Sequence, residues 1–95
     1  MSGSVAVLLA VAHPPVRAWL YLALADTPGY RIIGEAATGT EARRLCRATR
    51  PAVALLDHHL ARPAVAETLV ALCQLCPETP VMVLAPPSPP PQCMP

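Results

Sequence analysis

Ala52-Val53-Ala54-Leu55-Leu56-Asp57 is the stretch on which the reading of this chain turns. Five apolar residues run without a break and then stop at a carboxylate. A short unbroken apolar run behind a proline reads as a strand buried on both faces, because a strand with one wet face would alternate. Strands covered on both faces belong to parallel sheets, whose crossovers lay helices above and below. The acidic residue then falls at the carboxyl end of its strand, the edge where open α/β sheets hold ligands.

The flanking chain repeats the pattern. Ser4–Ala12 is a second nearly continuous apolar run, with Val5, Val7, Leu8, Leu9 and Val11, and it reads as the first strand. Pro14 and Pro15 suit the first turn of a helix, where the missing N–H costs little. Val16, Leu20, Ala23 and Leu24 recur at helical spacing until Thr27-Pro28-Gly29 stops them. Tyr30–Ala36, with the β-branched pair Ile32-Ile33, is the second strand. Thr40 is read as the N-cap of a helix over Glu41–Thr49, whose stripe is Ala42, Leu45, Cys46 and Ala48. Ala64–Leu75 carries Val65, Leu69, Leu72 and Cys73 in helical phase, and Val81–Ala85 is the fourth strand. Leu8, Leu9, Val53, Leu55, Leu56, Val81 and Val83 are the expected core. Residues 4–85 therefore form one α/β domain. Six of the thirteen prolines crowd into 86–95, which reads as a Pro-rich disordered tail.

Composition narrows the function classes. The chain has 95 residues, 54% hydrophobic and 14% charged, with a formal net charge of +1. That balance gives no electrostatic pull toward nucleic acid or anionic lipid, so neither is an expected partner. No apolar run reaches the roughly 18 residues of a membrane span. Val5–Ala12 ends in a small-x-small pattern, yet Met1–Ser4 holds no basic residue, so it is not read as a secretory leader. The expected location is cytoplasmic, with Cys46, Cys73, Cys76 and Cys93 as reduced thiols.

In their order and spacing, these segments resemble the receiver domain of bacterial two-component response regulators, in particular the subfamily with a helix-turn-helix output. The resemblance rests on Val7-Leu8-Leu9 followed by His13-Pro14-Pro15-Val16-Arg17, on Ile33-Gly34-Glu35-Ala36 with Gly39-Thr40-Glu41-Ala42, on Arg50-Pro51 leading through Ala52–Asp57, and on Thr79-Pro80-Val81-Met82-Val83-Leu84. It implies a flavodoxin-like, doubly wound parallel sheet in the order 2-1-3-4, C-terminally truncated to about four strands and three helices. It also implies that Asp57 is the phosphoacceptor, that the chain is not itself an enzyme, and that its partners are a sensor histidine kinase or another response regulator.

The same resemblance exposes what is missing. The family closes its first strand with an acidic pair that holds Mg²⁺, and Val11 and Ala12 stand there. A hard cation wants oxygen ligands, and neither side chain offers one, so no Mg²⁺ cofactor is expected. Ala85 replaces the family's Thr or Ser at the end of the fourth strand, and the chain has no lysine at all. One lost electrostatic group commonly costs about 10² to 10³ in rate, so several losses point to a degenerate receiver working by protein contact. Without a fifth strand, 81–85 is an exposed apolar edge open to self-association.

Other readings compete. His58, His59 and His13 share the carboxyl edge with Asp57. Adjacent strand residues point to opposite faces, so the two neighbouring imidazoles do not easily converge on a metal unless the chain has already left the strand, and solvent-facing loop side chains are the expectation. Cys73-Gln74-Leu75-Cys76 is a C-x-x-C, but it closes a helix instead of opening one, and the dipole there disfavours thiolate. Core or half-buried thiols are the expectation. Arg43, Arg44, Arg47 and Arg50 are read as a solvated basic helix face near Glu35 and Glu41. A thiol-redox or metal-binding small protein, or a truncated gene product without function, are the alternatives.

Overall fold

The computed structural model describes residues 4–84. The reading of Ala85 and of the tail 86–95 falls outside those residues. Strand β1 (Val5–Ala10) leads into helix α1 (Pro14–Ala25), then β2 (Tyr30–Ala36), α2 (Gly39–Thr49), β3 (Val53–Asp57), α3 (Val65–Leu75) and β4 (Val81–Leu84). All strand pairs are parallel, and the sheet order is β2-β1-β3-β4. Among the described residues this is the α/β doubly wound arrangement expected from the sequence, with four strands and three helices.

Handedness decides which helix covers which face. The chain steps from β1 to β2 in one direction, then back across β1 to β3 and onward to β4. Right-handed crossovers therefore put α1 on one face and α2 with α3 on the other. The second face holds the continuous core: Leu8, Ala10, Ala36, Ala54 and Leu56 pack with Ala42 and Cys46 of α2, Leu72 of α3, Leu60 and Cys76. On α1 no residue is buried, and Trp19 and Leu22 are each 67% exposed. β1 is central and covered from both sides, so Val7 through Val11 are all buried.

Three local expectations need correction. The α2 N-cap is Thr38, not Thr40. Thr38 Oγ1 accepts from Glu41 N at 3.2 Å, and Glu41 Oε1 accepts from Ala37 N at 2.8 Å. This reciprocal pair satisfies donors that a helix start otherwise leaves orphaned. Thr40 lies in the first turn and donates its hydroxyl to the Arg62 carbonyl. Next, Val83 is 41% exposed, while Val53, Leu55 and Val81 are only half-buried. β4 ends the sheet in the described residues, so its side chains lack neighbours on one flank. Lastly, Cys46 and Cys76 are buried but Cys73 is exposed, because it sits on the outer side of the last turn of α3.

The buried thiols make stability sensitive to alkali. Burial, joined by the neighbouring Cys76 thiol, pushes the Cys46 thiol from 9.0 up to about 12, and Thr79 and Arg50 only partly oppose this. An unfolded chain therefore releases this proton well before the folded one does. The stability that comes from a neutral Cys46 is whole below about pH 9 and is lost as pH rises toward 12. By about pH 10.5 much of it is gone. Urea unfolding at pH 8 and at pH 10.5 checks this. A Cys46→Ala variant should show a visibly flatter decline, and an equal decline in both proteins would refute the assignment.

Candidate functional site

Asp57 is the last residue of β3, and its side chain is 14% exposed. Register places Ala10 beside Leu56, so the chain leaving β1 passes directly alongside Asp57. Between β1 and β3 the winding direction reverses, and such a reversal opens a crevice at the carboxyl edge because the two connections depart to opposite faces. Here the crevice is an open cleft of about 450 Å³, lined by Ala12, His13, Pro14 and Val16 from the β1 side and by Asp57 and His59 from the β3 side.

β3 stops at Asp57 because the chain turns at once: Leu60 N donates to the Asp57 carbonyl at 2.9 Å, while His58 N donates to the Leu84 carbonyl at 3.0 Å. His58 and His59 therefore lie in the turn, and the strand alternation argument does not apply to them. Their rings pack together with centroids 3.8 Å apart, as the chain's departure from the strand allows. They do not make a metal site with Asp57. No group of three His, Cys, Asp or Glu side chains converges among the described residues. His58 Nδ1 is buried without a hydrogen-bond partner, 3.7 Å from Asp57 Oδ1, too long for a hydrogen bond.

The donor set does not fit Mg²⁺. Among the described residues Asp57 is the only carboxylate lining the cleft. Val11 is fully buried and apolar, and Ala12 contributes a methyl group. Even the Val11 carbonyl is engaged, since Arg17 Nη1 donates to it at 2.9 Å. The same guanidinium pairs with Glu35 at 3.4 Å. Arg17 thus ties the exit of β1 to β2 and puts positive charge near the place where the family would hold a cation. Sequence reasoning quoted Arg17 only as part of a motif. Its position one helical turn after His13 was the available signal, because the Arg17 N–H bonds the His13 carbonyl at the first turn of α1.

The segment after the turn is held by α2. Gly39 N and Thr40 N donate to the carbonyls of Ala61 and Arg62 at 2.9 and 3.0 Å. These are donors that the start of α2 cannot satisfy within the helix. On the outer side, Arg43, Arg44 and Arg47 line an open groove of about 550 Å³ with Thr40, Ala48 and Leu75. Glu35 and Glu41, expected beside these arginines, are used elsewhere, by Arg17 and by Ala37 N.

No family model matches the sequence, and no curated protein does. Solved structures do match. A two-component response regulator of the LuxR family from Aurantimonas sp. SI85-9A1 superposes with a TM-score of 0.79 at 29% identity, over 84% of this chain and 57% of that one. The signal receiver domain of the putative response regulator NarL from Mycobacterium tuberculosis gives 0.81 at 29% identity, over 92% of this chain and 70% of that one. The response regulator domain of Thermotoga maritima CheB gives 0.79 at 21% identity and speaks for the fold alone, over 84% of this chain and 59% of that one. The parallel sheet with a cleft at its switch point is a flavodoxin-like fold. Its structural neighbours are response-regulator receiver domains. It spans 57% to 70% of the length of these structures.

Proposed function

We propose that this chain is a degenerate receiver module of two-component signalling, one that works by protein contact rather than by efficient phosphorylation of Asp57. The observation that carries this reading is the cleft itself. By resemblance Asp57 stands at the family's phosphoacceptor position, at the end of β3, yet among the described residues it is the only carboxylate in a lining that also holds Ala12, His13, Pro14, Val16 and His59. Phosphoryl transfer spreads charge over oxygens that a metal and fixed donors must neutralise. Arg17 is committed to Val11 and Glu35, so it does not substitute for them.

A docking role needs surface rather than an acidic pocket, and surface is available. Trp19, Leu22 and Met82 are 67%, 67% and 55% exposed, and β4 ends the sheet with one backbone edge unpaired among the described residues. By resemblance the partner is a sensor histidine kinase, another response regulator, or a second copy meeting this edge. Intact mass after incubation with acetyl phosphate and Mg²⁺, beside Asp57→Ala, tests the reading. No adduct is expected on either protein while circular dichroism reports both folded. A single phosphoryl adduct on the wild type that vanishes in Asp57→Ala would overturn it.

A further inference from the structure

The outer face of α2 carries a concentration of charge that the cleft at Asp57 does not use. Arg43, Arg44 and Arg47 are exposed and share one arc of the helix with Thr40 and Ala48, while Ala42 and Cys46 take the buried side. α2 and α3 pack side by side, so Leu75, the last residue of α3, walls the groove that these arginines line. Its volume of about 550 Å³ falls within the range of roughly 300–1,000 Å³ typical of small-molecule sites. Among the described residues no carboxylate lines it, and the two ion pairs, Arg17 with Glu35 and His58 with Asp57, leave α2 out. Glu41, the one acid on the helix, accepts from Ala37 N instead. Arg43 and Arg47 are four residues apart and Arg44 and Arg47 three, spacings at which like charges repel. A bound anion would turn that repulsion into attraction. The helix start supplies none of the attraction, because Gly39 N, Thr40 N and the Thr40 hydroxyl all donate to carbonyls of Ala61 and Arg62. The donors left for a ligand are guanidinium N–H groups.

We propose that this groove binds a small molecule bearing a diphosphate, of the nucleoside diphosphate class, with the phosphates on Arg43, Arg44 and Arg47 and the organic group against Ala48 and Leu75. The inference goes beyond the signalling reading and does not depend on it. A guanidinium is a planar fork of donors that matches phosphate oxygens two at a time. Two linked phosphates carry about three negative charges at neutral pH, which balances three guanidiniums. A lone carboxylate would leave two of them unneutralised. An acidic peptide or a nucleic acid strand would need a basic stripe that continues, and this one gives way to Ala48 and Leu75 beside Arg47. That apolar end suits the uncharged part of a small ligand, as binding sites pair a few placed polar groups with apolar walls.

The test is calorimetric titration of the full chain with ADP, without added metal and at low salt, where exposed charges are least screened. Saturable binding of one ADP per chain is expected. Arg43→Ala and Arg47→Ala should each weaken it about tenfold, the usual return on a charge-assisted hydrogen bond. Arg47→Lys should recover only part, because it keeps the charge and loses the fork. Leu75→Ala should weaken ADP several-fold and leave inorganic pyrophosphate unchanged. Arg31→Ala removes the same charge from an exposed position on β2 and should leave both ligands unchanged. All these side chains are exposed, and circular dichroism checks that each variant is folded. Absence of saturable binding would overturn the proposal, and so would equal losses in Arg31→Ala and Arg47→Ala, which would reduce the effect to net charge. Displacement of ADP by oligoglutamate or a short oligodeoxynucleotide more readily than by pyrophosphate would overturn it too, and would assign the face to an acidic peptide or a nucleic acid strand.

Discussion

Gly39→Ala should cost about 3 kcal/mol of stability, a large share of what a domain of this size possesses. Gly39 opens α2 and is buried. A Cβ built there would collide with Thr68 Oγ1 and would stand 2.8 Å from both the Cδ and the carbonyl oxygen of Pro63. Two of those three obstacles belong to a proline ring and a main chain, neither of which yields like the end of a flexible side chain. Thr68 is fully buried and donates its hydroxyl to the Pro63 carbonyl at 3.3 Å, so it cannot swing aside without stranding a polar group. Relief must come from separating α2 from the 61–68 segment, which would also lengthen the bonds from Gly39 N and Thr40 N to Ala61 and Arg62. Gly34→Ala is the control. Its Cβ would meet Leu8 Cδ1 at 3.2 Å and Leu45 methyls at 3.6 and 3.8 Å, all side-chain ends that can give. Urea titration should show a midpoint lower by roughly 2 M for Gly39→Ala and by far less for Gly34→Ala. Adding Thr68→Ala to Gly39→Ala should recover part of the loss, because one of the three collisions disappears. Equal midpoints for the two glycine variants would show that the segment moves freely and that this packing argument is wrong.

The same position shows where sequence reasoning stops. The nearly unbroken apolar runs over Ser4–Ala12 and Ala52–Leu56 suffice to place parallel strands, because burial on both faces leaves a pattern in the strand itself. β2 starts and ends where the sequence placed it, at Tyr30 and Ala36. Helix starts were less legible. Thr38 and Thr40 are equally good caps by residue type, and the choice between them depends on Arg62, which takes the Thr40 hydroxyl from another part of the chain. Exposure along β4 depends on whether another strand lies beyond it, which four residues of sequence do not encode. At the site, the loss of acidic residues at Val11 and Ala12 could be read directly. Arg17 bridging Val11 and Glu35 could not, since it joins a helix to the ends of two strands.

Ala12→Asp should give the cleft a far stronger response to Mg²⁺ than the wild type. Ala12 and Asp57 line the same cavity, and Ala12 is only half-buried, so a carboxylate there remains partly solvated before any cation arrives. Val11 is the poorer position, because it is fully buried and a charge would have to be desolvated. Two carboxylates facing one cleft repel each other, and a divalent cation converts that repulsion into attraction. The variant without metal should therefore be slightly less stable than the wild type. With Mg²⁺ in millimolar excess it should recover and its melting temperature should rise, while the wild type should not respond. Acetyl phosphate should then modify Asp57 in the variant at about 10² times the wild-type rate, the usual return on one well-placed electrostatic group. Ala12→Asp combined with Asp57→Asn should lose both the metal response and the adduct. If Ala12→Asp folds and binds Mg²⁺ but Asp57 stays unmodified, the lost carboxylates are not the limiting defect. The deficit then lies in groups that position the phosphoryl oxygens. If the wild type already answers Mg²⁺ as strongly as the variant, a ligand other than the two strand-end positions serves the cleft, and the case for degeneracy falls with it.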